Sequence, residues 1–143
     1  IVLMTDMERH KEFLETWDQT VQKGIDWDNP IDRITVLSMF MKVSDISNCA
    51  RPFEIAKKWA KRILNENFNQ GDKEVQLGFG YSAPLTNRHQ QKLPNSQIGF
   101  YKFICLPMFQ KLVETFPKLQ FLVDNINHNL DIWKEMDAKN INE

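Results

Sequence analysis

Apolar residues recur every three or four positions along most of this sequence, which is the spacing that places side chains on one face of an α-helix. The pattern is clearest between Phe53 and Leu64, where it includes Ala56, Trp59 and Ile63. Since glycine and proline are few, we predict an all-α fold in a single domain, residues 1–143. The predicted helices run from a cap at Thr5 or Asp6 to Gly24, from Asp32 to about Asp45, from Phe53 onward, from Pro94 to Phe116 with a bend at Pro107, and from Leu119 to Met136.

Two stretches interrupt this helical pattern. Gln70-Gly71-Asp72 is predicted to kink or interrupt the third helix, because glycine is a poor helix former. The segment from Gly78 to Pro94 has no sustained period and is predicted to be a long loop. A loop of that length inside a compact domain is usually functional or mobile.

Composition and charge exclude several classes of protein. The formal net charge is −1 and no basic block occurs, so neither nucleic acid nor an anionic membrane is an expected partner. No apolar run approaches the length of a membrane span, and no signal peptide is visible. Cys49 and Cys105 lack metal or redox spacing and are predicted to be reduced thiols in a cytoplasmic protein. The sequence starts at Ile1-Val2-Leu3, within an apolar pattern, so we expect it to be part of a longer chain.

Asp45 is the first candidate for a functional residue. It follows the apolar helical run from Val36 to Val43, near the predicted helix end, where a carboxylate faces the negative end of the helix dipole. A cation opposite would offset this, and Asp is a hard oxygen ligand suited to Zn²⁺ or Mg²⁺. The commoner roles of an Asp at such a position are a cap, a turn residue or a solvated charge.

Gln97 and Phe100 form a second candidate, at the start of another apolar helix. They are three residues apart, so they share a helix face. A primary amide both donates and accepts hydrogen bonds and can pair with a purine edge, while an aromatic ring can stack on the base. The competing interpretation is that the amide satisfies the helix N-terminus and the ring belongs to the core. The three histidines show no metal-binding spacing, and no phosphate-binding loop or nucleophile motif occurs.

Several short motifs, in order, resemble the C-terminal half of the catalytic domain of class I cyclic nucleotide phosphodiesterases. They are Thr5-Asp6-Met7, Ser44-Asp45-Ile46-Ser47-Asn48, Trp59 with Arg62-Ile63, Phe68-Asn69-Gln70-Gly71-Asp72, and Ser96-Gln97-Ile98-Gly99-Phe100. The resemblance implies an all-helical, HD-type fold with a pocket for two metal ions, Zn²⁺ and Mg²⁺ or Mn²⁺. It also implies hydrolysis of a 3′,5′-cyclic nucleotide to the 5′-monophosphate.

The resemblance assigns roles to individual residues. Asp45 matches a zinc ligand, and Gln97 matches the glutamine that hydrogen-bonds the purine. Phe100 and Ile63 match the aromatic and aliphatic halves of a clamp over the base. Asn48 matches a polar position that contacts the base in cAMP-selective members, which favours cAMP over cGMP.

Two further positions complete the implied pocket. Met7 and Leu85 match residues that line it, and the loop from Gly78 to Pro94 is expected to flank the substrate entrance. Two departures stand out: Cys49 replaces a common proline, and Asn67 precedes Phe68 where an aromatic pair is common.

In the family, the other zinc ligands are two His and an Asp, and a further histidine protonates the leaving oxygen. All of these residues come from helices that precede the region resembled by this sequence. We therefore expect residues 1–143 to be a partial catalytic domain, inactive alone, within a parent that is a phosphodiesterase. The alternative is a parent that binds nucleotide without hydrolysing it, or a helical assembly module. A third possibility is that the isolated chain exposes apolar faces and associates. Whether the parent is a homodimer stays open.

Overall fold

The computed structural model describes residues 1–141, and within that range every regular element is helical. This confirms the predicted all-α fold. The α-helices are α1 (His10–Gln22), α2 (Pro30–Asp45), α3 (Phe53–Gln76), α4 (Leu93–Phe100), α5 (Leu106–Thr115) and α6 (Gln120–Ala138). A π-helix, Tyr101–Cys105, joins α4 to α5, and 3₁₀-helices occupy Val2–Thr5, Ser47–Ala50, Pro84–Thr86 and Pro117–Leu119. None of the helices described is both long enough and apolar enough to cross a bilayer.

The N-terminal helix begins later than predicted. Thr5 and Asp6 do not cap it: the Thr5 hydroxyl donates to the Val2 carbonyl at 2.9 Å, and the Asp6 carboxylate accepts from the Glu8 N–H at 3.0 Å. Both side chains thus stabilise local turns, and α1 starts at His10.

The predicted break at Gly71 is wrong, since α3 runs without interruption for 24 residues. Gly71 is buried where the helix meets Thr86, and a Cβ at this position would lie 2.1 Å from the Thr86 carbonyl oxygen. The glycine allows close approach of the loop, and its helix penalty of about 1 kcal/mol is too small to end a long helix.

The segment from Pro94 to Phe116 also differs from its prediction. Its irregularity is the wider π-helical turn at Tyr101–Cys105, which separates α4 from α5. Pro107 lies two residues beyond the π-helix, and because it has no N–H it cannot donate to a carbonyl of the preceding turn in this continuous helical segment.

The core lies where α4 and α5 pack on α6, and it includes the fully buried rings of Trp17, Tyr101 and Trp133. Helix α6 also holds the 3₁₀-helix Ser47–Ala50 in place. Asn129 Nδ2 donates to the carbonyls of Cys49 (2.9 Å) and Arg51 (2.8 Å). The chain segment that directly follows Asp45 is therefore fixed by the last helix.

Candidate functional site: a cavity between α3 and α4

A cavity of about 340 Å³ lies between α3 and α4. Its walls come from the 3₁₀-helix after α2, from α3, from the loop between α3 and α4, from α4 and from the π-helix. The lining residues are Asn48, Ile63, Leu64, Asn67, Leu85, Ser96, Gln97, Gly99, Phe100 and Ile104. The fold thus brings together every predicted base-binding residue except Met7.

Helix geometry explains how two walls form. Ile63 and Asn67 are one turn apart on α3, and Gln97 and Phe100 are three residues apart on α4. Each pair therefore presents one face of its helix to the same space. Leu85, at 44% exposure, comes from the loop and completes the rim.

Polar groups are few in this largely apolar cavity, and most are unpaired. Ser96 Oγ donates to the Leu93 carbonyl at 2.8 Å. The carboxamides of Asn48, Asn67 and Gln97 make no hydrogen bond to any group in residues 1–141, and none of their atoms is sealed away from solvent. These three amides are free to exchange hydrogen bonds with a bound molecule.

Asp45 borders an adjoining groove of about 390 Å³. Asn48 and Ile63 line both spaces, so the predicted metal ligand and the predicted base-binding residues flank neighbouring parts of one surface. Across residues 1–141, however, no group of three or more His, Cys, Asp or Glu side chains is arranged to hold a metal ion. The described residues therefore do not fit a complete metal centre, since a zinc site needs about three or four protein ligands.

Met7 lies elsewhere. It is 45% exposed, in the segment between the first 3₁₀-helix and α1, and lines neither space. That segment is fastened to α2 by Lys42, whose buried ammonium donates to the carbonyls of Met4 (2.6 Å) and Asp6 (3.4 Å). Burial lowers the pKa of Lys42, while the charges of Asp45 and Asp6 oppose that shift.

Comparison with known proteins decides the family. The model of the 3′,5′-cyclic nucleotide phosphodiesterase family matches residues 1–126. The chain belongs to this family.

Its relatives act on different nucleotides. The chain is 36% identical over 133 residues to the cGMP-specific 3′,5′-cGMP phosphodiesterase 3 of Dictyostelium discoideum, covering 93% of this chain and 28% of the relative. It is 33% identical over 144 residues to a 3′,5′-cyclic-AMP phosphodiesterase, isoform F, of Drosophila melanogaster, covering 95% and 22%. The solved structure of LmjPDEB1 in complex with IBMX superposes with a TM-score of 0.91 at 32% identity, over 96% of this chain and 41% of that chain. This phosphodiesterase chain thus spans well under half the length of the relatives and the structure named.

The loop of this phosphodiesterase chain is anchored to α3 by Glu74. Its carboxylate accepts hydrogen bonds from Gln70 Nε2 (2.7 Å), the Ser82 N–H (2.9 Å), Ser82 Oγ (2.7 Å) and Thr86 Oγ1 (3.4 Å). These donors, Gln70 first, lower the pKa of Glu74 to about 2. Because the lowered value favours the charged form, the contribution to stability is full above the ordinary value of 4.5 and is lost as the pH falls through about 2.

A second anchor lies at the other end of the loop. The Arg88 guanidinium is paired with the Asp72 carboxylate, with Nε to Oδ1 at 2.9 Å, and lies 5.4 Å from the centre of the Phe68 ring. The predicted long loop is therefore held at several points against α3, which fixes the backbone around Leu85.

Some cavity residues were absent from the sequence prediction. Asn67 was noted in the sequence only as a departure from a common aromatic pair, and its place one turn beyond Ile63 on the same face of α3 explains why it lines the cavity. Ile104 was not identified, because its place depends on the π-helix, which the sequence analysis did not predict. Among the remaining candidates, His89 and His128 are exposed, and the thiols of Cys49 and Cys105 are free and buried.

Proposed function

We propose that the protein carrying this chain hydrolyses a 3′,5′-cyclic nucleotide to the 5′-monophosphate, and that this chain supplies the wall that binds the base. The observation that carries the proposal is the single cavity shared by Gln97, Phe100 and Asn48. Membership of the phosphodiesterase family supports it.

In this proposal the base lies between Phe100 of α4 and Ile63 of α3. The two side chains line the same cavity from different helices, and both offer apolar surface to the faces of a purine. Gln97 then hydrogen-bonds the edge of the base, because its amide has no partner among the described residues. Leu85 covers the rim from the anchored loop.

Asp45 is proposed as one ligand of a Zn²⁺ ion, with Mg²⁺ or Mn²⁺ as the second metal. The other ligands would come from residues outside this chain, so the 143 residues alone are proposed to be inactive. A metal pair of this kind lowers the pKa of a bound water and supplies a hydroxide nucleophile.

The choice of nucleotide is proposed as cAMP over cGMP, on the basis of Asn48. Relatives named for each nucleotide match this chain, so the family alone does not select one. The free amide of Gln97 can present either its donor or its acceptor to the base, which makes the surrounding residues decisive. A cytoplasmic protein in cyclic nucleotide signalling is the setting that this substrate favours.

The test is hydrolysis of cAMP and cGMP, with Zn²⁺ and Mg²⁺ present, by the protein that carries this chain in a complete phosphodiesterase domain. Asp45→Ala is expected to lower kcat by at least about a hundredfold, because it removes a metal ligand. Gln97→Ala is expected to raise KM about tenfold, the effect of losing a paired amide contact to a base. Asp137→Ala and Gln110→Ala, at exposed positions, are matched controls that should leave both constants unchanged.

Absence of hydrolysis in a folded, metal-loaded protein would contradict the proposal. Retained binding of cAMP or cGMP in that case would favour the non-hydrolytic nucleotide-binding protein. Loss of binding as well would favour the helical assembly module.

A further inference from the structure

Asn67 places a polar group on an otherwise aliphatic wall. Among the described residues of α3 that line the cavity, its neighbours are Ile63 and Leu64. Ile63 and Asn67 are one helical turn apart, so the amide of Asn67 and the side chain of Ile63 face the same bound molecule.

The Asn67 amide lacks a partner within the described part of the chain. The side-chain oxygen and nitrogen of Asn67 are accessible from outside the protein. A side-chain amide offers two donor hydrogens and an acceptor oxygen. Water completes its hydrogen bonds when the cavity is empty, and a ligand that displaces this water must replace them.

Gln97 lies on α4 and Asn67 on α3, so the two amides reach the cavity from different helices. A purine has hydrogen-bonding groups along more than one edge, and one glutamine amide satisfies only part of them. A polar group of the base that faces α3 would contact either the Asn67 amide or the apolar side chains of Ile63 and Leu64.

We propose that Asn67 determines base specificity by hydrogen-bonding, directly or through one water, a polar group of the purine that Gln97 leaves free. This inference rests on the proposed function, because it takes a cyclic purine nucleotide as the ligand. A base that lacks the matching group leaves the amide unpaired on binding and is bound less tightly.

The experiment compares hydrolysis by wild type, Asn67→Leu and Asn67→Asp in the protein that carries this chain. Leucine has a similar size and no hydrogen-bonding group, and aspartate retains only acceptors. The substrates are cAMP, cGMP and two cyclic analogues, one with hypoxanthine, which lacks the 2-amino group, and one with unsubstituted purine. Asn67→Leu should raise KM about three- to tenfold for cAMP, cGMP or both, with kcat nearly unchanged, and the increase should vanish for the analogue that lacks the contacted group.

Asn69→Leu is the matched control, because Asn69 is exposed on the same helix two positions further along. Its KM values should equal those of wild type. An equal change for every base, or none for any, would overturn the role of Asn67, because a change in cavity shape does not distinguish the bases. If Asn67→Leu does not fold, Asn67→Asp provides the test of the specificity role, because this variant should change the ratio of the KM values for cAMP and cGMP.

Failure of the proposed function gives a different result. Wild type would then hydrolyse none of the four nucleotides, and their dissociation constants would be measured by calorimetry instead. Base-dependent loss of affinity in Asn67→Leu would uphold the specificity role without hydrolysis, and absence of binding by wild type would overturn both.

Discussion

His10 is a partly buried base whose two ring nitrogens are shielded from solvent. Neither ring nitrogen is paired within the described residues, and the buried ammonium of Lys42 lies near enough to repel a second positive charge. Burial and, to a lesser degree, the charge of Lys42 lower the pKa of His10 below its ordinary value of 6.5. The lowered pKa favours the neutral form of the imidazole where the N-terminal segment meets α2.

This arrangement predicts a loss of stability in mild acid. Between the lowered pKa and 6.5 the unfolded chain binds a proton that the folded chain does not, so the free energy of unfolding falls as the pH drops through this window. His10→Gln should flatten that dependence, as measured by urea unfolding at pH 7.5 and pH 5.5. His128→Gln, at an exposed position, should keep the wild-type dependence, and equal slopes in all three proteins would contradict the prediction.

At the residue scale, prediction from sequence succeeded where one helix face decided the outcome. Gln97 and Phe100 were expected together because a spacing of three residues places them side by side. The partners of Lys42 could not be predicted, because they are backbone carbonyls more than 35 residues away in sequence. Contacts of that kind depend on how the chain returns on itself.

At the scale of elements, the central feature is the docking of the loop on α3. Thr86 touches Gly71, and Glu74 and Asp72 bind the two ends of the same segment. The loop therefore has a defined conformation beside the cavity, in spite of its lack of periodicity in the sequence.

Gly71→Ala tests this docking. The added methyl group overlaps the Thr86 carbonyl, so we expect the loop to shift and the free energy of unfolding to fall by about 1–3 kcal/mol. Limited proteolysis between residues 77 and 92 should become faster. Gly99→Ala is the control, because a Cβ at this helical position meets open space. A Gly71→Ala protein as stable and protease-resistant as wild type would show that the loop is not fixed by this contact.

The elements themselves were predictable to different degrees. Helix α6 follows directly from its apolar spacing, as does the first half of α3, whereas α2 is apolar on both its buried and its exposed face. The full length of α3 was not predicted, because the break was assigned to Gly71, whose helix penalty of about 1 kcal/mol is too small to end a long helix. The π-helix at Tyr101–Cys105 was not predicted, because Pro107 indicates an irregularity in this segment but not that it takes the form of a π-helical turn.

At the scale of the whole molecule, two rows of apolar side chains remain uncovered. On α2 they include Ile34 (50% exposed) and Leu37 (53%), and on α3 Trp59 (47%) follows Ile55 by one turn. Such rows usually pack against another surface. The chain spans 41% of a solved relative, which is consistent with a larger domain in which these faces are covered.

We predict that the isolated chain associates through these rows. Size-exclusion chromatography should show species larger than the 16.9 kDa monomer, and a double variant Ile34→Glu/Leu37→Glu should shift them towards monomer. Phe121→Glu, which changes an exposed apolar residue on α6, should not. A soluble wild-type monomer with a sharp, cooperative melting transition would contradict this expectation.

The hydrogen bonds from α6 to the segment after Asp45 have a consequence for the order of folding. Asn125 donates to the Ala50 carbonyl at 3.1 Å, and Asn129 to those of Cys49 and Arg51, across 75 to 80 residues of chain. Closure of so long a connection is slow in comparison with helix formation. During synthesis on the ribosome, the backbone beside Asn48 lacks these donors until nearly the whole chain has emerged. We therefore expect the cavity between α3 and α4 to be among the last parts of this molecule to become ordered.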